Sequence, residues 1–107
     1  MQYINAQMIA NAINELQDQF DSHDVERRVL RNETIAMAQD ILRYGQNTDV
    51  LRTFSAQFAK FIDLTMCGQI EQTLKVSSEN LGGIRSECQQ WKKLFAIVSV
   101  RRTPVAT

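Results

Sequence analysis

Hydrophobic residues recur every three or four positions through the first two-thirds of the chain, which is the spacing of amphipathic helices. The first series predicts a helix over about residues 4–19, and later series run up to Tyr44 and from 51 to 65. The apolar stripes are Ile9/Ile13/Leu16/Phe20, Val25/Val29/Ile35/Ile41/Leu42 and Leu51/Phe54/Phe58/Ile62. Such stripes pack against one another, so the pattern predicts a helical core.

The clearest local signal is the start of the second helix. Asp21 or Ser22 can accept hydrogen bonds from the free amides of the first turn, and acidic residues suit the helix dipole there. Phe20 and Val25 occupy the two positions of a hydrophobic staple around this cap. A helix is therefore expected to begin at this point.

Other polar and glycine positions divide the remaining helical pattern. Residues 32–34 can split the second series into two short helices, and Gly45 is suited to end it. Residues 47–49 form a second cap, and the helix that follows is expected to end before Gly68.

Beyond Gly68 the pattern supports two interpretations. In the first, Ser86 and Glu87 start a last helix, whose shared face is Cys88, Trp91, Phe95 and Val98. In the second, residues 97–100 pair as a strand with residues 74–78, which alternate in polarity. We favour the helix through Phe95, with a short strand after it and a turn at Gly82.

These elements predict a mainly α fold. We expect one domain of four to five helices over residues 1–107, in which residues 99–107 form a C-terminal tail. A short C-terminal pair of β-strands is a variant of this fold, and it leaves a winged-helix-like arrangement open.

Composition is that of an ordinary globular domain. The chain has 107 residues, of which 44% are hydrophobic and 22% charged, which excludes collagen-like, low-complexity and wholly disordered classes. Net charge is zero, but residues 1–50 hold four Arg against eight acids, and residues 51–107 hold eight Lys or Arg against four acids. We interpret this asymmetry as attraction between the two halves, within one fold or between copies, ahead of a nucleic-acid surface.

No targeting or cofactor motif is visible. The start lacks a signal-peptide pattern and the apolar run Leu94 to Val98 is too short to span a bilayer, so we expect a cytoplasmic protein without membrane contact. Cys67 and Cys88 stand alone and His23 is the single histidine, so no disulfide framework, metal or other cofactor is expected.

Catalysis is not expected either. Ser22, His23 and Asp24 are the residue types of a hydrolase triad, but neighbours on a helix point about 100° apart and cannot form a relay. We therefore predict that the protein is not an enzyme.

Two surfaces are candidates for binding. Basic residues that can contact nucleic acid are Arg27, Arg28, Arg31, Lys92, Lys93, Arg101 and Arg102, with Trp91 as a stacking residue beside the second group. Apolar residues that can mediate self-association, as a homodimer, are Leu94, Phe95, Val98 and Val100.

Three short blocks carry a family resemblance. Phe-Asp-Ser-His-Asp-Val at 20–25, Ser-Glu-Asn-Leu-Gly-Gly at 78–83 and Cys-Gln-Gln-Trp-Lys-Lys at 88–93 resemble a group of small uncharacterised bacterial proteins, often near mobile elements. The resemblance implies no activity. The leading hypothesis is a small non-enzymatic interaction or regulatory module that acts through protein contacts, and the alternative is a winged-helix-like regulator that binds nucleic acid.

Overall fold

The computed structural model describes residues 1–46 and 48–100, and these form four helices and three strands. The helices are α1 (Ala6–Asn14), α2 (Ser22–Asn32), α3 (Thr34–Leu42) and α4 (Val50–Thr65), and the strands are β1 (Gln19–Asp21), β2 (Ile70–Glu79) and β3 (Arg85–Lys93). The strands form one antiparallel sheet in the order β1-β3-β2. The protein is therefore an α+β domain, and the mainly α prediction of four to five helices is wrong.

Two of the predicted helix starts are confirmed, those at Asp21 and at Asp49. Asp21 caps α2 in a reciprocal box, because its Oδ1 accepts the N–H of Asp24 at 2.8 Å and Asp24 Oδ2 accepts the N–H of Asp21 at 2.9 Å. Asp49 caps α4 by accepting the N–H of Arg52 at 3.2 Å. Asn47, the first residue of that predicted cap, lies outside the described residues.

The first helix is shorter than its apolar stripe. It ends at Asn14, and the last stripe residue, Phe20, belongs to β1 instead. Phe20 is the register partner of Trp91 in β3, and their ring centroids are 5.9 Å apart. Burial of two aromatic side chains together with strand pairing thus overrides the helical spacing.

The predicted last helix is a strand, and the predicted pairing of residues 97–100 with 74–78 does not form. Residues 85–93 form β3, which pairs with β2 along its length. Cys88 and Trp91 are both buried, and they are three positions apart. Two buried residues at this spacing are typical of one face of a helix, which is why the sequence pattern favours a helix here. The register of β2 shifts between Gln72 and Lys75, opposite this part of β3, and such an irregularity re-aims side chains along a strand pair.

Most stripe residues enter one buried cluster, but the second stripe is interrupted. Glu33 separates α2 from α3 with φ −135° and ψ 58°, which changes the direction of the helical face. As a result Ile35 and Leu42 are 76% and 74% exposed, and Met37 takes the core position instead.

Within residues 1–46 and 48–100, no helix combines the length and the apolar character that a membrane crossing requires.

A buried carboxylate fastens the N-terminal segment to α3. Asp40 is fully buried and accepts the backbone N–H groups of Gln2, Tyr3 and Ile4 at 2.9, 3.0 and 2.7 Å. Burial alone raises the pKa of Asp40, but these three donors and the guanidinium of Arg43 outweigh it, and the pKa lies below its usual value. Asp40 is therefore ionised. Its carboxylate accepts the backbone N–H groups of the first residues, which have no backbone acceptor in a helix or strand.

We expect Asp40→Ala to lower the free energy of unfolding by about 3 kcal/mol, because three backbone donors and Arg43 lose their acceptor. The matched control is Asp18→Ala, which removes an exposed carboxylate and should change stability by less than about 0.5 kcal/mol. Urea denaturation of both variants measures the difference. Equal stabilities would show that Asp40 does not hold the N-terminal segment.

Candidate functional site

A short apolar segment leaves the sheet directly after β3. Leu94, Phe95 and Ile97 are 47%, 57% and 74% exposed, and Ala96 between them is also exposed. We call residues 94–97 the apolar loop. Single exposed hydrophobic residues are common on protein surfaces, whereas several in one short segment form a contiguous patch of the kind found at interfaces.

Side-chain amides hold the base of the apolar loop. Asn14 makes both hydrogen bonds of a strand partner with Val98, accepting its N–H at 2.7 Å and donating to its carbonyl at 2.8 Å. The backbone carbonyl of Gln69 accepts the N–H of Leu94, and its side-chain Oε1 accepts the N–H of Ser99. The loop is therefore held in place on both sides while its apolar side chains face solvent.

The structure divides the four residues expected to mediate self-association. Leu94 and Phe95 lie on the apolar loop. Val98 is buried in the core cluster, and Val100 is half-buried against it. Ile97, the most exposed side chain of the loop, was not among the candidates, because in sequence it reads as part of a continuous apolar run.

The three arginines of α2 line an open groove of about 200 Å³ together with Leu16 and Asp24. Arg27 forms an ion pair with Asp24 at 2.9 Å, and Arg28 forms one with Glu15 at 3.6 Å. Arg31 pairs with no acid among the described residues. Two of the three charges are thus compensated locally, and exposed pairs of this kind contribute little to stability.

Among the described residues of the second basic group, Lys93 approaches this groove. Its Nζ donates to the carbonyl of Leu16 at 2.8 Å, whereas Lys92 is exposed and lies between Gln19 and Glu71 in the sheet register. Trp91 is fully buried and donates from Nε1 to Asp63, so it does not serve as an exposed stacking residue. Arg101 and Arg102 lie outside the described residues.

A basic face on α4 was not among the sites predicted from the sequence. Arg52 and Lys60 are exposed on the side opposite the buried Phe54 and Phe58. Neither Arg52 nor Lys60 forms an ion pair with another described residue. The helical spacing of these polar residues in the sequence indicates such a face, opposite the phenylalanine stripe.

The turn between β2 and β3 lies beside the start of α4. A Cβ added to Gly82 would come within 3.2 Å of Leu51 Cδ1, so the backbone of the turn approaches the first turn of the helix closely. Gly83 has φ +77°, a conformation that favours glycine and shapes this tight turn. The turn therefore packs against Leu51 at the N-terminal end of α4.

A chain of polar side chains is buried between α2, α4 and the sheet. His23 Nδ1 lies 2.8 Å from Ser78 Oγ, which in turn lies 3.5 Å from Cys88 Sγ. On its other side, His23 Nε2 lies 3.9 Å from Glu26 Oε2. Burial lowers the pKa of His23, with Asp21 acting in the opposite direction, so the imidazole favours its neutral form.

Glu26 is the most unusual member of this chain. Its Oε1 accepts the hydroxyl of Ser55 at 2.7 Å, whereas the buried Oε2 has no hydrogen-bond partner among the described residues. Burial raises the pKa of Glu26 to about 7, although Ser55 and Arg27 act against the shift. A carboxyl group in this state can hold a proton at neutral pH.

Comparison of the chain with protein-family models, with curated proteins and with solved structures finds no match. What this protein can do chemically therefore follows from the contacts of its own residues. The sequence neighbours Ser22 and Asp24 do not form a relay with His23, because Asp24 serves the cap of α2 and the hydroxyl beside the imidazole belongs to Ser78.

We expect the raised pKa of Glu26 to appear in the pH dependence of stability. Between the ordinary value of 4.5 and about 7, the folded protein holds a proton that the unfolded chain releases, so the free energy of unfolding falls as pH rises. The fall should be on the order of 3 kcal/mol. It should be absent in Glu26→Gln, which is expected to be more stable than wild type at pH 8.

Urea denaturation at several pH values, in buffer with a chelator, measures this difference. The lowered pKa of His23 has the opposite effect on stability below pH 6.5, and this effect is present in both proteins. Parallel pH profiles for wild type and Glu26→Gln would contradict a raised pKa at Glu26.

Proposed function

We propose that this protein is a small non-enzymatic interaction module that self-associates through the apolar loop. The observation that carries the proposal is the combination of three exposed hydrophobic side chains, Leu94, Phe95 and Ile97, with a base held by Asn14 and Gln69. A loop that is already ordered loses little conformational entropy on binding, so more of its contact energy remains for association.

The partner we propose is a second copy of the chain. Two-fold pairing is the commonest assembly of soluble proteins, and it brings each loop into contact with the same loop or its surroundings on the other copy. The opposite charge balance of residues 1–50 and 51–107 supports this choice, since the first part of one copy attracts the second part of another.

The size of the loop sets the expected strength of the dimer. A stable interface buries about 800 Å² on each partner, which four residues do not supply alone. We therefore expect a weak dimer, with a dissociation constant on the order of 10–100 μM.

Replacing Phe95 and Ile97 together by Ser should abolish self-association, because it removes the two most exposed apolar side chains of the loop. Leu64→Ser is the matched control, since Leu64 is an equally exposed hydrophobic residue outside the loop. Sedimentation velocity over a concentration series measures the effect. A wild-type protein that stays monomeric at several hundred micromolar, or a control that dissociates equally, contradicts the proposal.

A second candidate function is nucleic-acid binding, and the basic face of α4 favours it. Arg52 and Lys60 are exposed without ion-pair partners, and the glycine turn lies beside the same helix. The order of helix, strand, helices and hairpin, with strand order β1-β3-β2, also supports a winged-helix-like use of α4 and the turn. Fold alone does not establish function, so this candidate depends on the charges.

If α4 contacts the phosphate backbone, Arg52→Ala with Lys60→Ala should weaken duplex DNA binding at low salt. It should also reduce the slope of log affinity against log salt by about 2, since each lost phosphate contact contributes about 0.9. Arg27→Ala with Arg28→Ala, which removes two ion-paired arginines, should have a smaller effect. Fluorescence anisotropy measures both, and equal effects of the two double variants contradict a role for α4.

A further inference from the structure

We propose that Asp21, His23 and Cys88 form a binding site for a divalent transition-metal ion of the zinc type. One ligand atom from each of these residues lies within 4.8 Å of the other two. Nitrogen, sulfur and oxygen donors in one small cluster suit zinc and its neighbours in the periodic table, and they do not suit calcium or magnesium, which prefer oxygen ligands.

The three residues come from different elements that the fold holds together. Asp21 ends β1, His23 lies in the first turn of α2, and Cys88 lies on β3. The capping box fixes the connection between β1 and α2, and pairing of β1 with β3 brings Cys88 to them. Zinc bonds of about 2.0–2.3 Å place tetrahedral ligands roughly 3.5 Å apart, so side-chain movements of about 1 Å complete the site.

The hydroxyl of Ser78 marks the direction in which the imidazole would bind. It lies 2.8 Å from His23 Nδ1 and 3.5 Å from Cys88 Sγ, so Nδ1 is the ring nitrogen on the side of the thiol. On metal binding the Cys88 thiol releases its proton to solvent, and His23 binds through Nδ1 while its proton stays on Nε2. The fourth position is then open to a water molecule or to Ser78.

Glu26 provides an independent observation in favour of the site. Its Oε2 is buried without a hydrogen-bond partner, and it lies 3.9 Å from His23 Nε2, the nitrogen turned away from the proposed metal. Metal-binding histidines regularly donate their second ring N–H to a carboxylate, which orients the ring and strengthens the ligand. The unpaired Oε2 of Glu26 therefore lies near the position of a carboxylate that accepts the Nε2–H of a metal-bound His23.

A nucleophilic role for Ser78 or Cys88 fits the surroundings less well than a metal. Cys88 is 8% exposed, and neither Ser78 nor Cys88 lines the two grooves beside Leu16. A substrate needs a cleft that leads to the nucleophile. A metal ion needs only its ligands, which are present.

Cobalt binding to the chelator-treated full chain tests the proposal, because a thiolate ligand gives Co²⁺ a characteristic charge-transfer absorption in the near ultraviolet. We expect one equivalent to bind, zinc to displace it, and the charge-transfer band to disappear in Cys88→Ser. Cys67→Ser is the matched control, since Cys67 is an exposed thiol, and its band should be unchanged.

Glu26→Gln tests the positioning role of the carboxylate. It should keep the stoichiometry and the thiolate band but weaken cobalt affinity about 10–100-fold. Circular dichroism checks that each variant folds. Absence of a charge-transfer band in wild type at several-fold molar excess of cobalt overturns the proposal, and so does a band that is lost in Cys67→Ser, even if Cys88→Ser fails to fold.

Discussion

The contact between Phe20 and Trp91 is the interaction on which the rest of the structure depends. The two residues face each other across β1 and β3, and both are buried. Through them the N-terminal helices and the C-terminal hairpin share one core, since β1 has only three residues and would not pair stably without this packing. The hydrogen bond from the backbone N–H of Lys93 to the carbonyl of Asp18 extends the pairing of these two segments by one residue.

The same connection explains why polar groups meet inside the domain. The residue after Phe20 caps α2, so the first turn of this helix, with His23, is set against β3 and the end of β2. Glu26, one turn later, reaches Ser55 of α4. Burying these groups opposes folding unless they find partners, and one carboxylate oxygen of Glu26 does not. A buried polar group left without a partner is uncommon in folded proteins, and functional sites are one setting in which such groups occur.

The surface features follow from where the sheet ends. After β3 the chain has no further strand to pair with in the described residues, and amide side chains of Asn14 and Gln69 supply the missing hydrogen bonds. The chain is thereby held on both sides of the apolar loop, and Phe95 and Ile97 remain exposed to solvent. Leu94, Phe95 and Ile97 stay exposed while the polar groups at the base of the loop are hydrogen-bonded.

Local signals in the sequence determined the helix starts at Asp21 and Asp49 and the buried face of α4, since caps and helical periodicity depend on residues within a few positions of each other. The same signals failed for residues 85–93, where the spacing of Cys88 and Trp91 resembles a helix and only pairing with β2 and β1 makes a strand. They also gave no indication of the cluster around His23. Cys88 and Ser78 are far from His23 in sequence. A single histidine, with no cysteine at a metal-ligand spacing, argued against a metal site. Only the tertiary structure brings these residues together, because contacts between distant segments depend on how the sheet pairs and which faces are buried, and no local pattern encodes that.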